Sequence, residues 1–214
     1  IHSEMPQQEE GVMRGFQLWL NLPAAEKMTK AGYRDIQPEE IPELAFDGGK
    51  LKLIAGSLQI DGQAHAGAMP DRTTQPIYAD IHLASDGSLR LLLPEGHNAM
   101  LYLYEGSASL GESSLQRSAA NVLSDDGDQI ELHAGQAGAR LLLIAGKPIG
   151  EPVVQYGPFV MNTLRRDRTD APGLSGWTPD GLTASGKRLS CHQPLHHRPY
   201  DQVHGQRHFC ARNH

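Results

Sequence analysis

The residues with the clearest metal-binding character lie at the amino end, in the run His2-Ser3-Glu4. On a β-strand, two residues separated by one position project from the same face, about 7 Å apart along the chain. A ring nitrogen of His2 and a carboxylate oxygen of Glu4 can therefore converge on one metal ion. Together they supply half of the ligands that a non-haem iron or manganese site requires. The same spacing is common at metal-free protein surfaces, so ligands from other strands decide between the two interpretations.

Four more histidines lie in the body of the chain: His65, His82, His97 and His133. None of them belongs to a His-x-His pair. The sequence places His65 in a Gly-rich loop, His97 after a Pro-Glu-Gly turn and His133 before a Gly-rich turn. Alternation with Ile81 predicts an exposed side chain for His82, beside Asp80. We therefore predict no metal ligand among these four.

The carboxyl-terminal segment is rich in the residue types that bind zinc. It contains both cysteines of the chain, Cys191 and Cys210, and six of the eleven histidines. Zinc prefers thiolate and imidazole ligands, and four of them complete a tetrahedral site. The spacings in this segment match no familiar zinc finger and include no Cys-x-x-Cys pair. The metal-free interpretation is therefore favoured.

Composition and charge narrow the class of protein. Residues 1–163 of the 214 carry 11 Lys and Arg against 21 Asp and Glu, whereas residues 164–214 carry 8 against 4. An acidic body argues against direct nucleic-acid binding, which needs clustered Lys and Arg. No apolar run is long enough to span a membrane. Because both cysteines lie in the tail, the body fits a reducing compartment, and we predict a cytoplasmic protein.

Short strands separated by turns must position these residues. Alternating apolar residues predict strands over residues 16–22, 51–60 with a break at Gly56, 77–83, 89–93, 99–104, 130–133 and 140–145, and Pro23 opens a helical turn. Strands at about ten-residue spacing, with Gly, Asp and Pro in the turns, are typical of sandwiches and barrels. After Thr163, four prolines and few apolar residues predict disorder. The predicted fold class is therefore mainly β.

Three longer motifs resemble the pirin family. They are residues 2–6 (HSEMP), residues 15–23 (GFQLWLNLP) followed by Lys27-Met28, and residues 147–163 (KPIGEPVVQYGPFVMNT). The resemblance runs from Ile1 to Thr163 and implies a bicupin, in which two double-stranded β-helix barrels, jelly rolls, pack against each other. It assigns residues 1–75 to the C-terminal part of a first, metal-type barrel, incomplete in this chain. It also assigns residues 76–163 to a second barrel without metal ligands. By composition, residues 164–214 are predicted to be a basic tail rich in His and Pro.

The resemblance also implies Fe(II), or another divalent metal, in the first barrel, held by three histidines and one glutamate. His2 and Glu4 match the later histidine and the glutamate of that set, and Glu4 would also act as the catalytic proton acceptor. The family's upstream His-x-His ligands precede the point at which this chain opens, at Ile1 and without an initiator Met. We therefore expect the natural product to begin further upstream. At the other end, Leu164 opens a segment that departs from the acidic helix of the family.

Three functional hypotheses follow from the resemblance. Bacterial pirins imply an iron-dependent quercetin 2,3-dioxygenase that opens flavonol-type substrates with O₂. Animal pirins imply a non-enzymatic, iron-sensing module that binds a protein partner. The third hypothesis is an inactive relative whose first barrel lacks its opening strands and binds no metal. None of the three involves a nucleic acid or a membrane as a direct partner.

Overall fold

A computed structural model describes residues 10–11, 14–60, 62–124, 127–156 and 159–163. The chain divides into two compact units. Residues 22–152 form the first, here called the sheet unit, and residues 1–21 with 153–214 form the second, here called the flanking unit. In the described part of the flanking unit, β11 (Val154–Tyr156) and β12 (Phe159–Met161) pair antiparallel as a hairpin.

The ten strands of the sheet unit form one continuous sheet. They are β1 (Glu43–Phe46), β2 (Gly49–Ala55), β3 (Ser57–Ile60), β4 (Gln63–Ala66), β5 (Ile77–Leu83), β6 (Ser88–Leu92), β7 (Asn98–Leu110), β8 (Ser113–Ser114), β9 (Ala120–Val122) and β10 (Gln129–Gly146). A 3-10 turn, Pro38–Glu40, precedes β1. Among the described residues, none of the helices has the length and apolar character that a membrane crossing requires.

Strands β7 and β10 are long enough to take part in both halves of this sheet. The second part of β10 pairs with β5, while its first part pairs with β6, and β7 follows β10 along both parts. One half, here called the β5 half, has the strand order β1-β2-β5-β10-β7-β9. The other, here called the β6 half, has the order β4-β3-β6-β10-β7-β8. Because the halves share two strands, the sheet curls over on itself and encloses one core.

Apolar side chains that alternate along the strands fill this core. The largest fully buried ones come from both halves of the sheet: Leu51, Leu53, Leu58, Ile81, Leu91, Leu101, Leu103, Leu132, Leu141 and Leu143. Burial of a side chain of this size contributes about 1.5–3 kcal/mol relative to its exposure to water. A slip of one residue in the pairing would turn these side chains outward, so the core fixes the register of the sheet.

Two glycines allow β7 and β10 to bend where they pass from one half to the other. Gly106 (φ +75°) and Gly138 (φ +73°) both have left-handed backbone conformations. A Cβ atom on Gly106 would lie only 2.0 Å from the carbonyl oxygen of Gly138. The pairing of β7 with β10 is interrupted at this point, between Ala134 and Ala139. Bulges of this kind bend a strand and increase its twist.

The mainly β class predicted from the sequence is confirmed, as are the strands over residues 51–60, 77–83 and 89–93. Gly56, with φ +81°, separates β2 from β3 as expected. Residues 24–28 form turns after Pro23, whose carbonyl oxygen accepts a hydrogen bond from the Glu26 N–H at 2.9 Å. These segments were predictable because one buried face imposes a period of two on each strand.

One strand prediction was wrong, and three others were confirmed as strands but with different ends. Residues 16–22 lie outside any described strand, and Trp19 there is 69% exposed. Alternation of apolar and polar residues is compatible with a strand, but a strand forms only where another strand can hydrogen-bond to it. The predicted strand 99–104 continues through Gly106 to Leu110, and segments 130–133 and 140–145 are one strand, β10. The glycines taken as turns are bulges inside long strands.

Two further expectations remain predictions. Residues 164–214, with Cys191 and Cys210, lie outside the described residues, so their predicted disorder and metal-free character stay predictions. The division of the chain into segments 1–75 and 76–163 also stays a prediction. Strands β2 and β5, which lie on either side of that boundary, pair antiparallel within one sheet.

Replacement of Gly106 tests the bend. We expect Gly106→Ala to lower the free energy of unfolding by about 3 kcal/mol or more, because it adds a backbone clash to an unfavourable φ. The matched control is Gly111→Ala, since Gly111 has φ +55° but no described atom within 4 Å of an added Cβ. The control should cost only about 1 kcal/mol. Equal losses for the two variants in urea unfolding would contradict the proposed role of the close approach.

Candidate functional site

The outer face of the β5 half carries a compact polar cluster of Asp80, His82 and Tyr104, here called the outer cluster. The Tyr104 hydroxyl donates a hydrogen bond to Asp80 Oδ1 at 2.8 Å. His82 Nε2 lies 3.0 Å from Asp80 Oδ2 and 3.2 Å from the Tyr104 oxygen. Since a carboxylate accepts both contacts, we assign the hydrogen of the neutral imidazole to Nε2. The Nδ1 atom of His82 is then the basic atom of the ring.

Two features of the backbone bring these side chains together. The alternation of β5 turns Ala79 and Ile81 into the core, so Asp80 and His82 face outward. In β7, Glu105 pairs with Arg140 but Leu103 pairs with Leu141, which leaves Tyr104 as the extra residue of a bulge. A bulge re-aims the side chain that it carries. Tyr104 thereby reaches across β10 to the two residues of β5.

The surroundings of Tyr104 and Tyr78 favour the protonated form of these two phenols. Burial is the main cause that raises the pKa of Tyr104, and its hydrogen bond to Asp80 and the charge of Asp80 raise it further. Burial also raises the pKa of Tyr78, with a smaller contribution from the same carboxylate. Tyr104 is therefore a hydrogen-bond donor to Asp80 throughout the physiological pH range.

The outer faces of the two sheet halves differ in character. On the β6 half the outward side chains are exposed and mostly polar, as Gln59, Arg90 and Glu131 illustrate. On the β5 half they are largely apolar or aromatic and partly buried: Ile54, Tyr78, Met100, Tyr102, Leu142 and Ile144. Leu142 is only 4% exposed although it lies outside the core cluster. The outer cluster thus lies in an apolar surface, which explains the desolvation of its phenol.

A groove of about 520 Å³ lies beside the outer cluster, at one end of β2 and β5 and at the bend of β7 and β10. Each of these strands contributes one polar side chain, in register across the sheet: Lys50, His82, Arg140 and Glu105. Lys50 binds Glu43 at 3.1 Å, and a guanidinium nitrogen of Arg140 lies 3.8 Å from Glu105. Charges of both signs therefore line the groove. The groove and cluster together place an oriented imidazole where it can accept a proton.

In the structure, two of the histidines, His65 and His82, differ from the sequence predictions. His2 and Glu4 lie outside the described residues. The prediction of an exposed His82 was wrong, since its side chain is 27% exposed and bonded within the outer cluster. His65 belongs to strand β4 rather than to a loop. His133 is a largely exposed strand residue 3.4 Å from Glu131. Within the part of the chain that the structure describes, no three His, Cys, Asp or Glu side chains are grouped to hold a metal ion.

Sequence reasoning missed the role of Tyr104. The period of two in β5 could have placed Asp80 and His82 on one face, because they are two residues apart. No local signal marks the bulge that brings Tyr104 to them, since its position depends on the pairing of β7 with β10.

His97 is a buried histidine whose ring contacts the loop that precedes β5. Its Nε2 atom lies 3.1 Å from the carbonyl oxygen of Gln75, a residue with φ +43°. Its Nδ1 atom is buried and has no hydrogen-bond partner among the described residues. Such an unpaired atom carries a desolvation cost, so packing and the bond to Gln75 must compensate for it.

Substitution of His97 separates these two effects. We expect His97→Ala to lower the free energy of unfolding by about 2–4 kcal/mol, because it removes packing and the bond to Gln75. Glutamine extends its amide nitrogen to a position similar to Nε2, so His97→Gln should lose less. Chemical denaturation measures both, and a larger loss for the glutamine variant would contradict the assigned bond.

Alkaline unfolding tests the phenol of Tyr104. Because its pKa is raised in the folded chain, the folded state keeps the proton at pH values where the unfolded chain releases it, above about 10. The resulting stabilisation is complete below that pH and is lost as the pH rises through the raised pKa. We expect Tyr104→Phe to cost about 1–2 kcal/mol at neutral pH and to lose less stability than the wild type on alkalinisation. Tyr33→Phe, at a 90% exposed position, is the control for removal of a phenol. A pH dependence in Tyr104→Phe equal to that of the wild type would contradict the assignment.

The sequence matches of this chain all lead to one protein family. The family model for the pirin C-terminal cupin domain matches residues 78–168. A Pseudomonas aeruginosa protein named "Putative quercetin 2,3-dioxygenase" is 51% identical over 166 residues, which cover 76% of this chain and 58% of that protein. A Thermoplasma acidophilum protein with the same type of name is 36% identical over 178 residues, 76% of this chain and 68% of that protein. The chain thus spans less than two thirds of the length of the Pseudomonas relative.

The solved structures that this chain resembles agree with the sequence matches. A crystal structure titled quercetin 2,3-dioxygenase from Acinetobacter baumannii matches with a TM-score of 0.63 and 32% identity, over 70% of this chain and 51% of the other. A Geobacillus kaustophilus crystal structure matches with a TM-score of 0.54 and 25% identity, over 63% of this chain and 54% of the other. The curled sheet is of the cupin type, and a bicupin fits the matched family. With the sequence motifs, the matched domain and these relatives in agreement, the chain belongs to the pirin family.

Proposed function

We propose that this chain forms part of an iron-dependent dioxygenase that opens flavonol-type substrates with O₂. The observation that carries the proposal is the 51% identity, over 166 residues, to the Pseudomonas aeruginosa protein named for quercetin 2,3-dioxygenation. The Acinetobacter baumannii structure, titled for the same activity, supports it through the fold. Because the chain spans 58% of the Pseudomonas relative, the proposal concerns the whole protein rather than the sheet unit alone.

The proposed metal ligands of this chain are His2 and Glu4. An imidazole nitrogen and a carboxylate oxygen are donors that Fe(II) accepts, so the chemistry of this pair fits the ion, and two more ligands complete the set. A bound Fe(II) supplies Lewis acidity toward an oxygen of the substrate and redox chemistry toward O₂. A run of one histidine and one glutamate at alternate positions can present both donors from one face of a strand.

Glu4 has a second proposed role. A flavonol hydroxyl must lose its proton before the ring is opened, and a carboxylate at the site can accept that proton as a general base. His2 has no such role and serves to hold the metal. Loss of His2 should therefore act through metal occupancy, whereas loss of Glu4 should act on both occupancy and turnover.

The test uses the protein produced from the complete reading frame that encodes this chain. After anaerobic loading with Fe(II), elemental analysis gives the iron content, and quercetin absorbance with O₂ uptake gives turnover. We expect about one iron per chain, lowered about tenfold or more by His2→Ala and by Glu4→Ala. Glu4→Ala should also reduce turnover about a hundredfold at matched iron content, since a general base typically contributes that much. His65→Ala, on strand β4, is the matched control and should change neither measurement.

The outcomes separate the three hypotheses for this family member. Wild-type turnover in Glu4→Ala would end the dioxygenase proposal. Stoichiometric iron without flavonol turnover would favour an iron-sensing module that acts on a protein partner. A protein that binds no iron would be the inactive relative.

A further inference from the structure

The groove beside the outer cluster has the size and lining of a site for a small molecule. Its volume of about 520 Å³ lies within the range of ligand pockets, which combine an apolar lining with a few convergent polar groups. Residues with small side chains or none line it where β7 and β10 bend, among them Gly106, Gly138 and Ala139. At the same place the Ser85 hydroxyl donates a hydrogen bond to the carbonyl oxygen of Gln136 at 2.7 Å, which fixes one wall.

Three basic side chains lie next to one another along this groove. Lys50 of β2 and Arg140 of β10 are each the register partner of His82 in β5, so the three form one row across adjacent strands. The residues on either side of His82 and of Arg140 are buried, so both side chains face outward, as Lys50 does. Because neighbouring strands are only about 5 Å apart, one small anion can contact side chains from more than one of them.

Lys50 and Arg140 have donors to offer such an anion. The ammonium group of Lys50 carries three N–H donors, and its bond to Glu43 at 3.1 Å uses one of them. The guanidinium group of Arg140 carries five, and its contact with Glu105 at 3.8 Å is longer than a hydrogen bond. About half of each basic side chain is exposed, 51% for Lys50 and 49% for Arg140. Both cations are therefore within reach of a ligand in the groove.

His82 differs from the other two because its ring is already held on one side. Its Nε2 atom contacts Asp80 and Tyr104, and neither of those residues lines the groove, whereas His82 does. The bonded side of the ring is therefore directed away from the groove. A neutral ring with its hydrogen on Nε2 presents only an electron pair at Nδ1, which repels a carboxylate oxygen. A protonated ring donates from both nitrogens, one to Asp80 and one to a ligand.

The charged neighbours of His82 favour a ligand with a single negative charge. The titratable and charged groups that share the outer face with it come from β1, β2, β5, β7 and β10: Glu43, Lys50, Lys52, Asp80, Tyr104, Glu105 and Arg140. Asp47 and Asp86, in the turns at this end, do not line the groove. Carboxylates and cations are equal in number on this face. A monoanion that binds together with one proton leaves that balance unchanged, whereas a dianion would leave a negative charge uncompensated.

We propose that the groove binds a small organic monocarboxylate and that His82 takes up one proton from the solvent as it binds. Lys50, Arg140 and the newly protonated Nδ1 of His82 donate to the carboxylate oxygens, while Nε2 donates to Asp80. The apolar body of the ligand lies against the small side chains at the bend. All of these residues belong to the sheet unit, so the proposal does not depend on the proposed function.

The experiment uses the full 214-residue chain, prepared without metal, with benzoate and inorganic phosphate as probes. Titrations are followed by NMR at about pH 8, where histidine is ordinarily neutral, and ring-nitrogen chemical shifts distinguish neutral from protonated imidazole. We expect benzoate to saturate the site, to bind about tenfold or more tightly than phosphate, and to shift the His82 ring toward its protonated form. Because binding takes up a proton, benzoate affinity should fall as the pH is raised further.

His133 is the matched control within the same spectrum. It lies two residues from a carboxylate, Glu131, at 3.4 Å, in the part of β10 that pairs with β6, and it does not line the groove. Its ring should not change when benzoate binds. A His82 ring that stays neutral in the bound state, or a His133 ring that responds equally, would overturn the proposal.

Substitutions test the two parts of the site. His82→Gln cannot take up a proton, so we expect benzoate affinity to fall about tenfold and to lose its dependence on pH. Arg140→Gln, at a half-exposed position, should lower affinity by a similar factor but keep the pH dependence, and it tests the site if His82→Gln does not fold. His133→Gln should bind as the wild type does. Equal weakening by His133→Gln, tighter binding of phosphate than of benzoate, or no saturable benzoate binding would contradict the assignment.

Discussion

The architecture depends on two long strands that pair with each other in both halves of one sheet. β7 and β10 can do so only because their backbones come into close contact at Gly106 and Gly138, where an added Cβ would lie 2.0 Å from a carbonyl oxygen. The bend at this contact turns the apolar faces of both halves toward each other. The alternating leucines then lose contact with water together, and this burial fixes the register of every strand in the core.

The same bend determines the chemistry of the outer face. The bulge beside Gly106 directs Tyr104 across β10, where its hydroxyl meets the carboxylate of Asp80. The apolar surroundings of this face strengthen the hydrogen bond, because it is electrostatically stronger where water is partly excluded. They also keep the phenol protonated, so that it can donate. As a consequence, Asp80 holds the imidazole of His82 beside the groove. The ligands proposed for iron, His2 and Glu4, are different residues and lie outside the described part of the chain.

Much of the fold was predictable from local pattern. The period of two over residues 77–83 and 89–93 placed those strands, and Gly56 marked the break between β2 and β3. The pattern failed at residues 16–22, where alternation was present but no described ladder partner follows. It also failed at Gly106, because a glycine with positive φ can end a strand as a turn or continue it as a bulge.

By itself, the sequence determined the mainly β class, the family and the two residues, His2 and Glu4, with the donor types for an iron site. These follow from residue type and spacing, which a linear chain contains in full. Only the tertiary structure decided that Tyr104 joins Asp80 and His82, that His97 is buried, and that Lys50 and Arg140 flank His82. Each of those contacts joins residues more than 20 positions apart, so it exists only once β2, β5, β7 and β10 have paired.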